Sequence, residues 1–274
     1  MYSLPEIIFC SKDIEILSLY KNKISDIPEE LWDLKNLQFL NLGHNELTNL
    51  SENIGKLKNL HTLDLGHNLL GQLPASIGRL DNMHAFLYLS NNELHAVPDE
   101  ICQLKKLRYL NISDNQVKSL PENFGNLSGL IELRLYNNKL SSLPLSIGNL
   151  YNLVELHLMN NHLTELPISI SNLSALKELR LMDNQLKALP EKIGSMHGLT
   201  YLDLRNNQLE VLPLSLYDLK NLRFLDLRGN KLLEISENIL QLSKLEKLDL
   251  RWNNLISLPN WIKEIEERGC IVYC

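Results

Sequence analysis

Two histidines and one cysteine come closest to forming a chemical site. His44 and His67 each stand in a Gly-His-Asn segment, 23 residues apart. Paired imidazoles could hold a metal ion, but a zinc site needs three or four protein ligands and no further ligand accompanies them. Cys102 would need a base to act as a nucleophile, and no histidine recurs at a matching position. We therefore expect no catalytic residue, no metal ion and no cofactor, and a protein that is not an enzyme.

A row of regularly spaced carboxylates is the second group of residues that could have a chemical role. Three aspartates recur at intervals of 23 residues, each followed two residues later by an arginine: Asp203 with Arg205, Asp226 with Arg228, and Asp249 with Arg251. Three neighbouring carboxylates could bind calcium, but the adjacent guanidinium groups oppose a cation. Two interpretations stay open. The aspartates and the arginines neutralise each other, or they form an arginine-rich binding site for a protein loop that carries carboxylates.

These residues recur because the whole chain is built from one repeated unit. The pattern LxxLxLxxNxL has its asparagine at Asn22, Asn45, Asn68, Asn92, Asn115, Asn138, Asn161, Asn184, Asn207, Asn230 and Asn253. A proline follows six residues later at Pro28, Pro74, Pro98, Pro121, Pro144, Pro167, Pro190, Pro213 and Pro259. The spacing of the leucines predicts a short β-strand with its leucines turned inward. The asparagine predicts a side chain that satisfies buried backbone groups where the chain leaves the strand.

This pattern resembles the leucine-rich-repeat superfamily, in particular its 23-residue intracellular and bacterial type, found in Ras-group-related, Roco and leptospiral repeat proteins. The resemblance implies an α/β solenoid, or horseshoe, of about eleven repeats, with a parallel β-sheet on its concave face and short helical turns on its convex face. We expect one domain over residues 1–274, with a partial repeat or cap at 1–13, repeats at 14–258, and a C-terminal cap helix and strand at 259–274. Stacked repeats must share one leucine spine, because a single repeat cannot bury its own apolar side.

One step of the repeat is longer than the others. The interval from Asn68 to Asn92 is 24 residues, and the extra residue falls within Met83–Leu87, just before the fourth predicted strand. This predicts a local bulge. Such a bulge either borders a functional surface or is a tolerated insertion.

Side chains that alternate with the inward leucines form columns on the predicted concave sheet. An aromatic zone contains Phe39, Phe86, Tyr88 and Tyr109, beside the small residues Gly43, Gly66, Ser90 and Ser113. Surface rings of this kind are typical anchors of protein interfaces. The alternative is that the rings pack on each other and shield the sheet.

Two further zones follow along the chain. In the middle zone, three glutamates (132, 155 and 178) stand beside a basic column and a flexible apolar column, whose members are Arg134, His157, Arg180, Tyr136, Met159 and Met182. Stacked glutamates need compensation, which the basic column supplies. The last zone holds the three arginines Arg205, Arg228 and Arg251, flanked by Tyr201, Phe224 and Trp252. Apart from the small residues, the acidic residues and His157, the side chains of the three zones are the predicted partner-binding residues.

Composition restricts the partner and the compartment. The chain has 27 Lys plus Arg against 33 Asp plus Glu, a net charge of −6, which opposes binding to nucleic acid. No apolar run is long enough for membrane insertion. The four cysteines are scattered, which favours free thiols and a reducing, cytoplasmic location. A secreted or cell-surface location is the alternative.

The sequence therefore predicts a non-enzymatic interaction module or signalling scaffold that binds a protein partner, of unknown identity, on its concave face. The alternative is a secreted or surface-exposed bacterial virulence factor that binds host receptors or adhesion molecules. We expect a monomer or a weak homodimer.

Overall fold

The structure, a computed structural model, describes residues 4, 8–9, 11–257 and 259–274. Backbone contacts group the chain into two compact units, Met1–Lys139 (unit 1) and Leu140–Cys274 (unit 2). The segment 1–13, predicted as a partial repeat or cap, lies mostly outside the described residues, as does Cys10. That all repeats act as a single domain stays a prediction.

Unit 1 contains short parallel strands, each followed by a 3-10 helix that returns the chain. The strands are β1 (Ile16–Ser18), β2 (Phe39–Asn41), β3 (Thr62–Asp64), β4 (Phe86–Tyr88), β5 (Tyr109–Asn111) and β6 (Glu132–Arg134). The 3-10 helices are Glu29–Asp33, Glu52–Lys56, Ala75–Arg79, Asp99–Gln103 and Phe124–Asn126. Each strand pairs with the next one along the chain, in matching register.

Unit 2 repeats this arrangement and ends in an α-helix. Its strands are β7 (Glu155–His157), β8 (Glu178–Arg180), β9 (Tyr201–Asp203), β10 (Phe224–Asp226), β11 (Lys247–Asp249) and β12 (Ile271–Tyr273). Its helices are the 3-10 helices Leu145–Asn149, Ile168–Asn172, Ile193–Ser195, Leu214–Asp218 and Glu237–Gln241, and the α-helix α1 (Ile262–Glu267). These strands also pair in parallel and in register.

The strands present leucines to the interior and variable residues to the other side. Leu63 and Leu65 in unit 1, and Leu202 and Leu204 in unit 2, have no exposed surface. Ile54 and Ile147, from the 3-10 helices, are equally buried and close the other side of the core. The predicted α/β solenoid with a parallel sheet is confirmed, and its helical turns are of the 3-10 type.

Asparagines hold consecutive repeats together. The Asn68 side chain donates to the carbonyls of Leu65 and Leu42, both at 3.0 Å, and its Oδ1 accepts from the Leu47 N–H at 3.0 Å. The amide therefore satisfies buried backbone groups of its own repeat and of the repeat before it, as the sequence predicts. The residue before each such asparagine has a left-handed backbone, with φ from 51 to 64°.

The 3-10 helices pack closely because small residues face the neighbouring repeat. A Cβ atom added to Gly148 would lie 2.2 Å from the carbonyl oxygen of Ser169, and one added to Gly78 would lie 2.2 Å from that of Glu100. These are overlaps that only glycine avoids. The recurring glycines are therefore packing positions of the core.

The extra residue of the long repeat does not interrupt the strand ladder. Thr62 pairs with Phe86 and Phe86 with Tyr109, in the register of the other strands. Met83 is 1% exposed and replaces a core leucine, whereas His84 is exposed. The predicted bulge is thus a widened loop ahead of β4, and it places His84 and Ala85 at the side of the sheet.

The C-terminal helix and strand occupy the predicted segment. Trp261, just before α1, is buried and donates its Nε1–H to the Ile235 carbonyl at 3.2 Å. Gly269, with φ of +91°, allows the turn from α1 into β12. None of the helices among the described residues has the length and apolar composition that crossing a bilayer requires.

Candidate protein-binding faces

Three rings form a contiguous cluster on the open side of the unit 1 sheet. Phe86 and Tyr88 project from β4 and Tyr109 from β5, with ring centroids separated by 5.8 Å, 5.5 Å and 5.0 Å. Phe86 is 43% exposed, while Tyr88 and Tyr109 are half-buried. Phe39 lies on β2, with β3 between it and the cluster, so the structure does not bring all four predicted rings together. We call Phe86, Tyr88 and Tyr109 the aromatic face.

A groove lies beside the aromatic face, where the long repeat widens. It has a volume of about 480 Å³ and is lined by His84, Ala85, Phe86, Arg108, Tyr109, Ile131 and Glu132. Only Phe86 and Tyr109 among these are predicted binding residues. Besides these two rings, the extra residue within Met83–Leu87 is the sequence feature that points to this place.

Arg134 connects the aromatic face to the acidic residue beside it. Its Nε donates to Glu132 at 2.5 Å, and its guanidinium carbon lies 5.6 Å from the Tyr109 ring centroid. Burial by itself would lower the pKa of Arg134, but the hydrogen bond to Glu132 and the charge interactions with Tyr109, Glu132 and Tyr136 together outweigh it, and the pKa is raised. Burial raises the pKa of Tyr109 to about 12, so its hydroxyl stays protonated at neutral pH. Tyr136, also predicted as a binding residue, is half-buried on the next column.

Asp64 is a carboxylate on the same sheet face without an arginine beside it. Its Oδ1 accepts from the Gly66 N–H at 2.9 Å. Burial raises its pKa, and the Gly66 hydrogen bond, the nearby His44 and His67 and a hydrogen bond from the Asn41 side chain act only in part against that. The two histidine rings stack at 3.9 Å, and burial followed by the charge of His44 lowers the pKa of His67.

The middle zone of unit 2 balances its own charges. Glu155 and Glu178 are direct neighbours on β7 and β8. His157 Nε2 lies 3.2 Å from Glu155, and Arg180 forms an ion pair with Glu178. The predicted compensation of the stacked glutamates is therefore present. Two methionines of this zone, Met159 and Met182, are half-buried.

Three arginines pair with aspartates farther along unit 2, and two of these aspartates, Asp203 and Asp249, are buried. Arg205 binds Asp203 with two hydrogen bonds of 2.8 and 2.6 Å, and Arg251 binds Asp249 at 2.9 and 2.6 Å. Arg228 binds Asp226 at 2.7 Å and also reaches Asp249 at 3.3 Å. We call Arg205, Arg228 and Arg251 the arginine face. Of the two interpretations left open by the sequence, these contacts favour mutual neutralisation.

Aromatic side chains border the arginine face. Tyr201 and Phe224 are neighbours with centroids 5.8 Å apart, and both are half-buried. Arg251 lies 5.6 Å from the Trp252 ring and 4.8 Å from the Tyr273 ring. Trp252 is 72% exposed. Its φ of 59° lies in the left-handed region, which is unfavourable for so large a side chain. The structure thus places Trp252 as an exposed ring held in a strained conformation.

Family models for leucine-rich repeats match the chain in successive segments. The model described as a leucine-rich repeat region matches residues 87–188, and a leucine rich repeat model matches residues 174–232. A model of two leucine rich repeats matches residues 12–53 and 35–78, and a single-repeat model matches residues 244–265. The chain is a leucine-rich-repeat protein.

Solved structures are similar to this leucine-rich-repeat protein over most of its length. One is the ectodomain of the plant membrane receptor kinase GASSHO1/SCHENGEN3 from Arabidopsis thaliana, solved in complex with CASPARIAN STRIP INTEGRITY FACTOR 2. It is 33% identical with a TM-score of 0.76, and the match covers 92% of this chain and 34% of that chain. This chain therefore spans about a third of the receptor ectodomain.

Two bacterial structures also match. A leucine-rich-repeat protein of Leptospira interrogans is 29% identical, with 100% of this chain and 93% of that chain covered, at a TM-score of 0.48. The functional domain of the internalin InlJ from Listeria monocytogenes is 20% identical with a TM-score of 0.79, covering 94% of this chain and 53% of that chain. At that identity the likeness shows the fold alone. No curated protein sequence matches the chain.

The structure shows the surroundings of His44, His67 and Cys102, the residues considered for metal binding or catalysis. Neither His44 nor His67 belongs to a group of three metal-ligating side chains among the described residues. Cys102 is buried, and burial raises the pKa of its thiol to about 11, so the thiolate is scarce at neutral pH. Cys270 and Cys274 are also free thiols.

Proposed function

We propose that this leucine-rich-repeat protein is a non-enzymatic interaction module that binds a protein partner on its open sheet face, chiefly through the aromatic face of unit 1. The observation that carries the proposal is the contact of three rings beside an open groove, with Phe86 43% exposed. Exposed aromatic clusters next to a pocket are typical of the centres of protein interfaces.

The size of the unit 1 sheet suits a partner of ordinary dimensions. Six strands spaced ~4.8 Å apart extend over about 24 Å. A standard interface covers roughly 800 Å² on each partner. The aromatic face lies on β4 and β5, so a partner centred there would have strands on both sides of it within unit 1.

The similar plant receptor ectodomain supports a protein ligand, since its structure holds CASPARIAN STRIP INTEGRITY FACTOR 2. A binding role also agrees with the surroundings of Cys102, the cysteine considered as a nucleophile, because this residue is buried and its pKa is raised to about 11. The arginine face of unit 2 is a weaker candidate, because Arg205, Arg228 and Arg251 are already paired with aspartates.

The matched aromatic pairs of the two units provide the test. Wild-type protein, a Phe86→Ala/Tyr109→Ala variant and a Tyr201→Ala/Phe224→Ala variant are used for affinity capture, and a captured protein is then purified for calorimetry. We expect the first variant to bind at least about 100-fold more weakly than wild type, because hot-spot rings carry much of an interface's binding energy. The second variant should bind within a few-fold of wild type.

Circular dichroism and urea unfolding serve as the folding controls for both variants. Equal loss of binding in the two variants, or no loss in either with folding intact, contradicts the assignment to the aromatic face.

We further propose a cytoplasmic location and a monomer or weak homodimer. Buried free cysteines agree with a reducing compartment. The alternative, a secreted or surface-exposed bacterial factor that binds host receptors, draws support from the likeness to the receptor ectodomain, an extracellular type of protein. Cell fractionation separates the two locations, and light scattering measures the oligomeric state.

A further inference from the structure

An arginine that lies between a carboxylate and an aromatic ring recurs on the open sheet face. In unit 1, Arg134 binds Glu132 and lies 5.6 Å from the Tyr109 ring. In unit 2, Arg251 binds Asp249 and lies 4.8 Å from the Tyr273 ring. Arg180 likewise pairs with Glu178 and lies 5.1 Å from the Tyr201 ring. The charge–charge and cation–π attractions act on the same guanidinium group in each case.

Asp64 and Tyr88 form the same arrangement without the arginine. They are direct partners on β3 and β4. Asp64 accepts a hydrogen bond from the backbone N–H of Gly66, just as Asp203 accepts one from the backbone N–H of Arg205. The position that holds arginine in unit 2 therefore holds glycine here. The main influences that oppose the burial of Asp64 are the Gly66 N–H, His44, His67 and the Asn41 side chain, and none of these is a lysine or an arginine.

The surroundings of Asp64 compensate the burial of its charge only in part. Burial raises its pKa, which shows that the carboxylate loses hydration in the folded protein. His67 stacks on His44, and burial lowers the pKa of His67, so this ring is a poor source of positive charge at neutral pH. The cost of the buried charge falls when a cation binds it.

The Asp64 carboxylate packs against two glycines, Gly43 and Gly66, at the repeat position where unit 2 carries the side chains of the arginine face. A Cβ atom added to Gly66 would lie 3.2 Å from Asp64 Oδ1, and one added to Gly43 would lie 3.1 Å from it. The two glycines thus lie directly beside the carboxylate. At the equivalent positions of unit 2, Arg251 binds Asp249 and lies 4.8 Å from the Tyr273 ring, so a guanidinium group placed in the same way here would contact both Asp64 and Tyr88.

We propose that Asp64 and Tyr88 receive an arginine side chain of the protein partner, which completes the arrangement that the chain builds internally elsewhere. This inference rests on the proposed function, because Tyr88 is also part of the aromatic face. It adds the chemistry of the partner: a segment with an arginine for Asp64 and an apolar residue for the rings. The net charge of −6 favours the approach of such a basic partner.

A displayed library of random linear peptides, selected on the full-length protein, tests the proposal. Selected peptides should carry an arginine, and they should bind Asp64→Asn about tenfold more weakly than wild type by calorimetry. The asparagine keeps the hydrogen bond to Gly66, since Asn41 makes the same bond to Gly43 in the preceding repeat. Glu122→Gln removes an exposed charge elsewhere in unit 1 and should leave binding unchanged.

A double-mutant cycle isolates the contact. Replacing the peptide arginine by alanine should cost about tenfold on wild type and almost nothing on Asp64→Asn. An equal loss on both proteins overturns the inference. Selected peptides that lose binding with Phe86→Ala/Tyr109→Ala but need no arginine also overturn it, while the proposed function stands. Selection of no peptide that depends on the aromatic face counts against both.

Gly66→Arg provides a second, independent readout. This substitution should supply the missing guanidinium within the chain, as Arg205 does for Asp203. We expect the variant to keep its fold and to lose the arginine-dependent part of peptide binding, about tenfold. Unchanged binding of an arginine peptide to a folded Gly66→Arg protein contradicts the proposal.

Discussion

The two units carry the same leucine core but use their sheet faces differently. In unit 1 the face presents contacting rings, an open groove and Asp64 without a cation. In unit 2 the face presents arginines whose guanidinium groups already bind aspartates; of these carboxylates, Asp203 and Asp249 are fully buried. The strand positions are equivalent in the repeat, so the contrast comes from their side chains and from the extra residue of the long repeat.

This contrast distinguishes charges that stabilise the fold from charges that are available to a ligand. Where an arginine stands two residues after an aspartate, both carboxylate oxygens already accept hydrogen bonds from it. Such an aspartate therefore has no free oxygen with which to bind a partner. Asp64, with glycine at that position, has hydrogen bonds from the Gly66 N–H and the Asn41 side chain in place of an arginine. The residue types of the arginine face therefore suggest an anion-binding site in unit 2, whereas its arginines are already paired with aspartates of the same chain.

The largest expected effect is on Asp203→Asn in the arginine face. Asp203 has no exposed surface and accepts two hydrogen bonds from the Arg205 side chain. Removing the negative charge leaves the partly buried guanidinium of Arg205 with only its longer contact to Asp226, at 3.5 Å, so we expect a loss of about 2 kcal/mol in the free energy of unfolding, measured by urea denaturation.

The matched control is Asp64→Asn, the same substitution at the same repeat position in unit 1. If Asp203→Asn costs no more than Asp64→Asn, the separation of structural from available carboxylates is wrong.

A smaller, opposite effect is expected at Trp252. A left-handed backbone costs a bulky residue about 1–2 kcal/mol, and asparagine, which stands at this position in repeats such as that of Asn206, tolerates it better. Loss of the contact with Arg251 offsets part of this gain. We expect Trp252→Asn to raise the unfolding free energy by roughly 0.5 kcal/mol.

Thermal and urea unfolding measure the change in Trp252→Asn, and Asn206→Ala shows the cost of losing asparagine at an equivalent position. A clear loss of stability in Trp252→Asn would mean that the exposed ring supports the fold of unit 2. A gain would identify a ring kept at a cost to stability, as expected of a second binding element.

Most of the fold could be predicted from the repeat because one spacing fixes both the strand and the interior. The leucines, the asparagine hydrogen bonds and the packing glycines all follow from residues that recur every 23 positions. The left-handed residue before each asparagine did not stand out, because Lys, His, Asn, Asp, Gly and Trp share that position and no single type marks it. Its conformation emerges from the turn, not from a side chain.

The candidate site was predictable only in part, because it depends on contacts between columns. Phe86, Tyr88 and Tyr109 meet as expected, but the groove is formed by a widened loop whose shape the extra residue alone did not indicate. The pairing of Arg205 with Asp203 was one of two open interpretations until the distances were known. The sequence does mark Asp64, because a glycine stands two residues later where the repeats of the arginine face have arginine. That difference could be interpreted only after the Asp–Arg pairs of unit 2 were seen in the structure.

The smallest effect concerns the pH dependence of Asp64→Asn and Asp249→Asn. Burial raises the pKa of Asp64 above the ordinary value, so its charged form destabilises the native state at neutral pH. Asp64→Asn should therefore gain a few tenths of a kcal/mol at pH 7, a small value because solvent reaches and screens the carboxylate. The gain should vanish as the pH falls through the raised pKa to the ordinary range.

Asp249 should show the opposite sign. Burial alone would raise its pKa, but hydrogen bonds from Arg251 and the charge of Arg228 outweigh it, and the pKa is lowered. Its contribution to stability is complete above the ordinary aspartate pKa and is lost as the pH falls through the lowered value, so Asp249→Asn destabilises at pH 7 and this deficit shrinks on acidification. Urea unfolding between pH 3 and pH 7 checks both curves. Curves of the same sign would remove the distinction between the two faces, because Asp64 would then be satisfied within the chain.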